Sequence, residues 1–315
     1  MPSDTLSNLP LGNTGIELSP IAVGTVELGI DYGFPGTDHY RRPAAEAAVA
    51  LLHHAVDAGV TLIDTAPTYG NAETLVGQAL SGMSRRPHVA SKLIIEAGRG
   101  QGTRDAVAAS VDRSLRALGI DCLDLLQVHN ANLETLADAD GLEALVRTVD
   151  EGKVRFLGAS VYTVDEALAA LELPQFRVIQ VPYNMLDCQM ARKVFALALE
   201  RGVGVLVRSA FLRGVLTPQV ASIPEKLGRL RDAALGALKA VGEPVERLAV
   251  LALRFAMSAP GVSSVIVGVR SIEELDENLA AVREGRLPAE VLERLAPFAL
   301  DGEPLVSPPN WKGLT

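Results

Sequence analysis

Short apolar runs rich in β-branched residues alternate with amphipathic stretches rich in Ala and Leu along almost the whole chain, the pattern of repeated βα units on a parallel sheet. Eight such runs, at 21–24, 61–64, 88–92, 123–129, 155–160, 178–181, 203–207 and 264–267, predict strands. The stretches at 44–58, 73–80, 103–118, 141–151, 164–171, 191–200, 244–257 and 272–282 predict the helices between and after them. Gly59, Gly119, Gly152 and Gly202 each stand just past the end of a predicted helix, where a left-handed residue finishes the last turn. Ahead of the first run, 9–11 and 16–18 flank Gly12-Asn13-Thr14-Gly15 and predict a β-hairpin. Eight βα units suggest an α/β fold, a (β/α)8 TIM barrel, with the hairpin capping the barrel bottom and residues 1–315 forming one domain. An open doubly wound sheet is the rival, but no Gly-x-Gly-x-x-Gly opens the first βα turn.

Two intervals break the rhythm. Residues 27–43 hold Tyr32, Phe34, His39 and Tyr40 among glycines and prolines, a long loop after the first strand placed to roof a substrate site. Residues 209–243, with a basic, Gly-broken stretch at 226–231, exceed what one connection needs and are placed to cover a bound cofactor.

Composition narrows the possibilities. At 48% hydrophobic residues and a mean hydropathy of +0.23, a chain of 315 residues buries the core of one large barrel. Its 29 basic and 38 acidic residues leave a net charge of −9, and no Lys/Arg cluster is interleaved with aromatics, so nucleic acid is a poor partner. Cys122 and Cys188 supply neither a disulfide framework nor metal-ligand spacing and read as packed thiols in a reducing compartment. The polar first ten residues lack the apolar stretch of a signal peptide, and no later run reaches membrane-spanning length without a charge. The expectation is a cytoplasmic protein with no metal and no membrane contact.

Four proton-handling side chains end or follow successive strands. Asp64, closing the second strand, needs a cation if buried, and Lys92, closing the third, is the neighbour able to supply one. Tyr69 follows Asp64 by one turn. A phenol titrates near ~10, so a nearby ammonium, which stabilises the phenolate, is expected to lower the value for Tyr69. His129, after the fourth strand, can offer a hydrogen bond to a carbonyl oxygen held against that phenol. Each alone also reads as a structural ion pair or a satisfied loop residue. Four at successive strand ends, where barrel active sites assemble, favour catalysis. A glycosidase pair of Asp64 with Asp124 is less attractive, because Asp124 lies mid-strand in an apolar run.

The segment Asp64-Thr65-Ala66-Pro67-Thr68-Tyr69-Gly70-Asn71-Ala72-Glu73, the pair Ser91-Lys92 and Val128-His129-Asn130 resemble the signature blocks of the aldo-keto reductase family, whose catalytic tetrad is Asp, Tyr, Lys and His. The resemblance runs from Leu11-Gly12-Asn13-Thr14-Gly15 to Glu277-Asn278. It implies a (β/α)8 barrel that passes hydride from NADP(H), less often NAD(H), to a carbonyl, with Tyr69 as proton donor, Lys92 and Asp64 tuning it and His129 orienting the substrate.

By the same resemblance, Gln180 holds the nicotinamide carboxamide and Ser160 a neighbouring amide position, while Val161 replaces the usual Asn. Arg208, Ser209, Phe211, Arg213 and Gly214 match the pyrophosphate stretch, with Arg208 where an aromatic often stacks on the nicotinamide; a guanidinium can stack by its planar face or pair with a phosphate. Gly268, Arg270, Ser271, Glu274 and Asn278 match the block that grips the adenosine end. Arg270, Ser271 and the free N–H groups of a helix starting at Ile272 suit a 2′-phosphate. Glu274, where many members have Arg or Gln, could accept a ribose hydroxyl instead. NADP(H) is favoured over NAD(H).

These residues imply an oxidoreductase reducing an aldehyde or ketone, with a lean toward a sugar or polyol from 25–33 and 184–187 and from the polar and aromatic Tyr32, His39, Tyr40 and Asn130. The alternatives are an NAD-dependent sugar dehydrogenase working oxidatively and a non-catalytic cofactor-binding regulatory subunit. A monomer or weak homo-oligomer is expected.

Overall fold

The computed structural model describes residues 7–35 and 40–312, so His39 of the predicted aromatic loop lies outside the described residues. Strands β1 (Leu9–Pro10) and β2 (Glu17–Leu18) pair antiparallel as the predicted hairpin. β3 (Ile21–Gly24), β4 (Leu62–Asp64), β5 (His88–Leu93), β6 (Leu123–Val128), β7 (Val154–Ser160), β8 (Phe176–Pro182), β9 (Gly204–Arg208) and β10 (Val262–Gly268) follow as eight parallel strands. β10 pairs with both β9 and β3, which closes the barrel.

Side chains alternate across a strand, so each barrel strand sends every second residue inward. One residue from every strand, Ala22, Leu62, Ala90, Leu125, Phe156, Val178, Leu206 and Ile266, packs into a single apolar layer together with Leu11, Ile16 and Leu18 of the hairpin segment. The hairpin is therefore a floor for the barrel. The intervening residues, among them Val23, Ile63, Val89, Leu126, Ile179, Val205 and Val265, belong to a second core shared with the surrounding helices. Two residues beyond the apolar layer, the same inward parity reaches Asp64, Lys92, Gln127, Gln180 and Arg208. The polar layer is thus dictated by strand period.

The outer helices are Ala45–Asp57, Ala72–Gly82, Gln101–Leu118, Ala139–Asp150, Val164–Leu171, Leu248–Ser258 and Ile272–Arg283, all close to the predicted spans. Gly59, Gly119, Gly152 and Gly202 do adopt positive φ, at 102°, 65°, 72° and 66°. The predicted helix at 191–200 is two pieces, Gln189–Lys193 and Phe195–Glu200, broken at Val194. The predicted start at Pro244 is a 3-10 turn, Val245–Arg247, that runs into Leu248. The extra residues between β9 and β10 contain a helix, Gly228–Val241, whose buried Leu230, Ala234, Ala237 and Leu238 share one face; the basic stretch lies at its N-terminal end. A further helix, Ala289–Leu295, and short turns to Trp311 complete the described chain. Among the described residues no helix is long and apolar enough to cross a membrane.

The floor is held by close backbone approach. Asn13 N–H donates to the Gly202 carbonyl at 2.8 Å, and a Cβ on Gly12, which has φ +52°, would collide with Gly202 O and Gly204 N. Gly12→Ala should therefore destabilise the protein by about 2 kcal/mol or more, through strain at positive φ and a lifted hairpin. A lowered urea midpoint in equilibrium unfolding checks this; an unchanged midpoint would mean that the hairpin adds nothing to the barrel.

Candidate active site

The four predicted residues meet at the C-terminal mouth. Lys92 and Asp64 are almost fully buried, at 1% and 3% exposure, and Lys92 Nζ donates to Asp64 Oδ1 and, at 3.1 Å, to the Thr65 carbonyl. Asp64 Oδ2 accepts from Gln127 Nε2 and Gln180 Nε2, each at 3.0 Å, and Gln180 Nε2 also reaches Gln127 Oε1 at 3.0 Å. A buried ion pair stands only where its remaining lone pairs and protons are met, and here amides do so without adding charge.

Tyr69 sits on a turn fixed by its N–H to the Ala66 carbonyl at 3.0 Å. Glycine is required on both sides of that turn: a Cβ on Gly29 would collide with Tyr69 O, and one on Gly70, φ +61°, would sit 2.5 Å from Gly29 O. The phenol ring centroid is then 5.1 Å from Lys92 Nζ and 5.7 Å from the His129 ring, which stands edge-on at 86°. His129 Nδ1 lies 3.4 Å from Thr68 Oγ1.

The electrostatics differ in one respect from the sequence-based expectation. Burial raises the Tyr69 phenol above its ordinary pKa; Lys92 opposes that shift, Asp64 reinforces it, and Arg208 opposes it weakly. Lys92 does pull in the expected direction, but desolvation wins. Burial also favours a neutral amine at Lys92, yet Asp64 and Tyr69 together keep the ammonium protonated above its usual range. His129 is pushed down to about 4 by burial and by the Lys92 charge, against the pull of Asp64. At neutral pH the site presents a protonated phenol beside an ammonium and a neutral imidazole.

These groups face a cavity of about 790 Å³. Asp64, Tyr69 and His129 line it, with Lys92 behind the phenol, and so do Ser160, Gln180, the stretch Arg208, Ser209, Phe211, Arg213 and Gly214, and Gly268, Arg270, Ser271, Glu274 and Asn278. Tyr32 and Phe34 of the loop after β3 form part of its wall. Asn130 does not reach it: its side chain accepts from Ile95 N–H at 3.1 Å and donates to Ile95 O at 2.9 Å, tying two loops together.

Several residues are engaged differently from the simplest reading. The Arg208 guanidinium donates to the Val161 carbonyl at 2.8 Å and lies 4.1 Å from the centroid of the Tyr162 ring. Ser271 Oγ caps its helix by accepting from Glu274 N–H at 3.3 Å, and Glu274 Oε2 takes the Arg270 N–H at 2.7 Å. Part of the anion position at that helix start is thus filled internally. Gln180 spends its amide N–H groups on Asp64 and Gln127, and among the described residues none donates to its Oε1.

Two residues escape sequence reasoning. Gln127 carries a signal, a polar residue at inward parity in an apolar strand. Glu27 lines the cavity next to Gly268 and shows none. Asp124 faces outward, as its parity requires, bound to His88 Nδ1 at 3.1 Å and Arg155 at 2.8 Å; despite burial, these partners and the Val89 N–H hold it at about 2.

The far half of the cavity fits an anionic dinucleotide. Arg213 Nε and Arg270 Nε are buried donors without a partner. Ser209, Leu212 and Arg213 hold φ of 62°, 45° and 54°, a strained backbone for residues other than glycine, and Asn184 Nδ2 steadies it by donating to Ser209 O at 3.2 Å. Among the described residues no group of three or more His, Cys, Asp or Glu is placed to hold a metal ion.

The pattern of the Aldo/keto reductase family matches residues 20–299. L-galactose dehydrogenase of Arabidopsis thaliana is 28% identical over 292 residues, 87% of each chain. Among solved structures, glycerol dehydrogenase AKR11B4 from Gluconobacter oxydans superposes with a TM-score of 0.72 at 25% identity, covering 95% of both chains. The holo form of aldo-keto reductase AKR11C1 from Bacillus halodurans shares the fold, with a TM-score of 0.77 at 24% identity over 93% of this chain and 96% of that one.

With its pKa pushed to about 4, the His129 imidazole should stay neutral well below the range of an exposed histidine. An NMR titration should show no protonation of His129 between pH 8 and pH 5. A midpoint near ~6.5, the ordinary value, would mean that water and not the buried phenol surrounds the ring.

Proposed function

The chain belongs to the aldo/keto reductase family, oxidoreductases that interconvert carbonyls and alcohols with nicotinamide cofactors, and on that premise we propose that it reduces a small aldehyde or ketone with Tyr69 as proton donor. The observation that carries this reading is the phenol enclosed between Lys92 and His129 at the wall of the cavity. NAD(P)H, when bound, supplies the hydride to the carbonyl carbon.

The chain's own groups do the rest. Tyr69, held protonated by burial, gives its proton to the carbonyl oxygen as negative charge develops there. Lys92 stabilises the phenolate left behind, and the hydrogen-bonded Asp64 holds the ammonium in place. His129 is neutral, so it can donate a hydrogen bond to the same oxygen without adding a charge. Gln180 Oε1 is available to a carboxamide N–H, Ser160 stands beside it on the adjacent strand, and Arg213 and Arg270 offer unmet donors to phosphates.

The NADP(H) reading rests on Arg270 and Ser271 as 2′-phosphate contacts. A second reading, NAD(H), is favoured by the Glu274 carboxylate on the Arg270 N–H, where it would face a 2′-phosphate and could instead accept a ribose hydroxyl. The names of the galactose and glycerol dehydrogenases support a sugar or polyol as the substrate, and the same atoms run in reverse serve an oxidative dehydrogenase. A non-catalytic cofactor-binding subunit is the least favoured reading, since the quartet is complete. We place the protein in the cytoplasm as a single-domain monomer or weak homo-oligomer.

Tyr69→Phe should lower kcat for carbonyl reduction by at least about a hundredfold while leaving dinucleotide affinity within a few fold, as loss of a general acid does. Steady-state assays over a panel of aldehydes, ketones and sugars check this, and a Phe variant with near-normal kcat removes Tyr69 from the role. Glu274→Arg should raise the ratio of NADP(H) to NAD(H) affinity by about tenfold or more, exchanging a repulsive charge for an attractive one. Fluorescence titration with both dinucleotides measures that ratio; no change would place the 2′ position elsewhere.

A further inference from the structure

Among the described residues, four buried side-chain polar atoms lack a hydrogen-bond partner, and three of them, Glu27 Oε2, Arg213 Nε and Arg270 Nε, belong to residues on the cavity wall. An anionic dinucleotide explains the two guanidiniums. It does not explain a carboxylate among them. Glu27 follows β3, and its carboxylate lies over Gly268 at the end of β10, in space that any Cβ at 268 would take. It is therefore packed against the segment that carries Arg270, on the same cavity wall.

We propose that Glu27 is a proton-exchanging member of the dinucleotide site: its carboxyl is neutral when phosphates sit beside Arg270 and Arg213, so that ligand binding takes up a proton there. The inference rests on the dinucleotide-binding reading above. An ionised Glu27 would repel those phosphates and compete for Arg270, whereas a protonated carboxyl turns its unmet oxygen into a donor to a phosphate oxygen. Burial raises the Glu27 carboxyl to about 7, with Arg270 pulling it down and Glu274 pushing it up. The free carboxyl is thus poised to change state on binding.

The sign follows directly. Affinity is full where Glu27 is protonated, below about 7, and falls as pH rises through that value. The other groups facing this wall come from each packed element: Tyr32 from its own loop, Asp64, Tyr69 and His129 from the barrel mouth, Arg208 ending β9 and Arg213 after it, and Arg270, Glu273, Glu274 and Glu277 after β10. Tyr32 is held up at about 12, Tyr69 is raised, His129 is lowered to about 4 and Glu273 is lowered, so none of these crosses the same window.

NADH binding to the full chain, followed by fluorescence from pH 6 to 9, tests the proposal. NADH is the probe because its diphosphate keeps its charge throughout, whereas a 2′-phosphate titrates near ~6. The dissociation constant of the unaltered protein should rise above pH 7 by up to about tenfold per unit, the limit for one linked proton, and that of Glu27→Gln should stay flat. Calorimetry of the unaltered protein near pH 7.5 in two buffers of different ionisation enthalpy should show net proton uptake, and this arm does not depend on the variant folding. Parallel pH profiles, or binding without proton uptake, overturn the role of Glu27 and leave the dinucleotide reading standing. No NADH binding at any pH overturns both.

Discussion

A lysine and an aspartate share the middle of the barrel's polar layer, and burying that ion pair dictates much of what surrounds it. Removing two charges from water costs several kcal/mol per ion unless every lone pair and proton finds a partner. Asp64 meets the requirement with Lys92 on one oxygen and two amides on the other; Lys92 meets it with Asp64, the Thr65 carbonyl and the phenol face. Gln127 and Gln180 are amides for a physical reason. A carboxylate at either place would add a second negative charge beside Asp64, and an apolar side chain would leave Asp64 Oδ2 short of a donor. Breaking such a pair from one side costs about 3–5 kcal/mol, so the same contacts that arrange the phenol's surroundings also hold the barrel mouth together.

Strand parity explains which parts of this were legible. Counting two residues on from Leu62 and Ala90 places Asp64 and Lys92 inside the barrel, and the eight-fold rhythm of runs places them at one mouth. The positive-φ glycines ended helices where a left-handed residue was needed. The helix Gly228–Val241 is harder to see because its apolar face, Leu230, Ala234, Ala237 and Leu238, follows a Pro-, Gly- and charge-rich stretch that reads as loop. Side-chain commitments are the least legible of all. Asn130 looks like a polar group at a substrate site, yet its amide bridges both polar atoms of the Ile95 backbone; Arg208 looks like a stacking group for a ligand and stacks on Tyr162. Nothing in one-dimensional spacing tells which neighbour a flexible side chain will find first.

The phenol shows why direction must be decided by magnitude. A cation nearby suggests a depressed pKa, and Lys92 does act that way, but Tyr69 is enclosed enough that desolvation of the phenolate outweighs it. The consequence is chemical as well as electrostatic. On the proposed reading of Tyr69 as proton donor, a phenol that keeps its proton at every physiological pH is always loaded for donation, and the ammonium matters most at the moment the proton leaves, when it stabilises charge that burial alone would penalise. His129 obeys the same logic with opposite sign: burial and Lys92 strip its charge, so its contribution is a hydrogen bond and not a second cation.

The two halves of the cavity are finished to different degrees. The buried ion pair of Asp64 and Lys92 finds its partners within the protein, with Gln180 Oε1 left over on the cavity side, so that half is largely assembled before any ligand arrives. Around Ser209 to Arg213 the backbone holds three non-glycine residues at positive φ, and Arg213 and Arg270 each keep a buried donor unmet. Strain of about 1–3 kcal/mol per such residue persists only where surrounding contacts enforce it, and Asn184 on Ser209 O is one of them. A ligand that supplies the missing acceptors would complete this half, whereas it would find the ion pair of the polar layer already formed. On the proposed reading, binding energy is then gained largely at the dinucleotide end, remote from the phenol, so that loading the cofactor leaves the buried ion pair behind Tyr69 undisturbed.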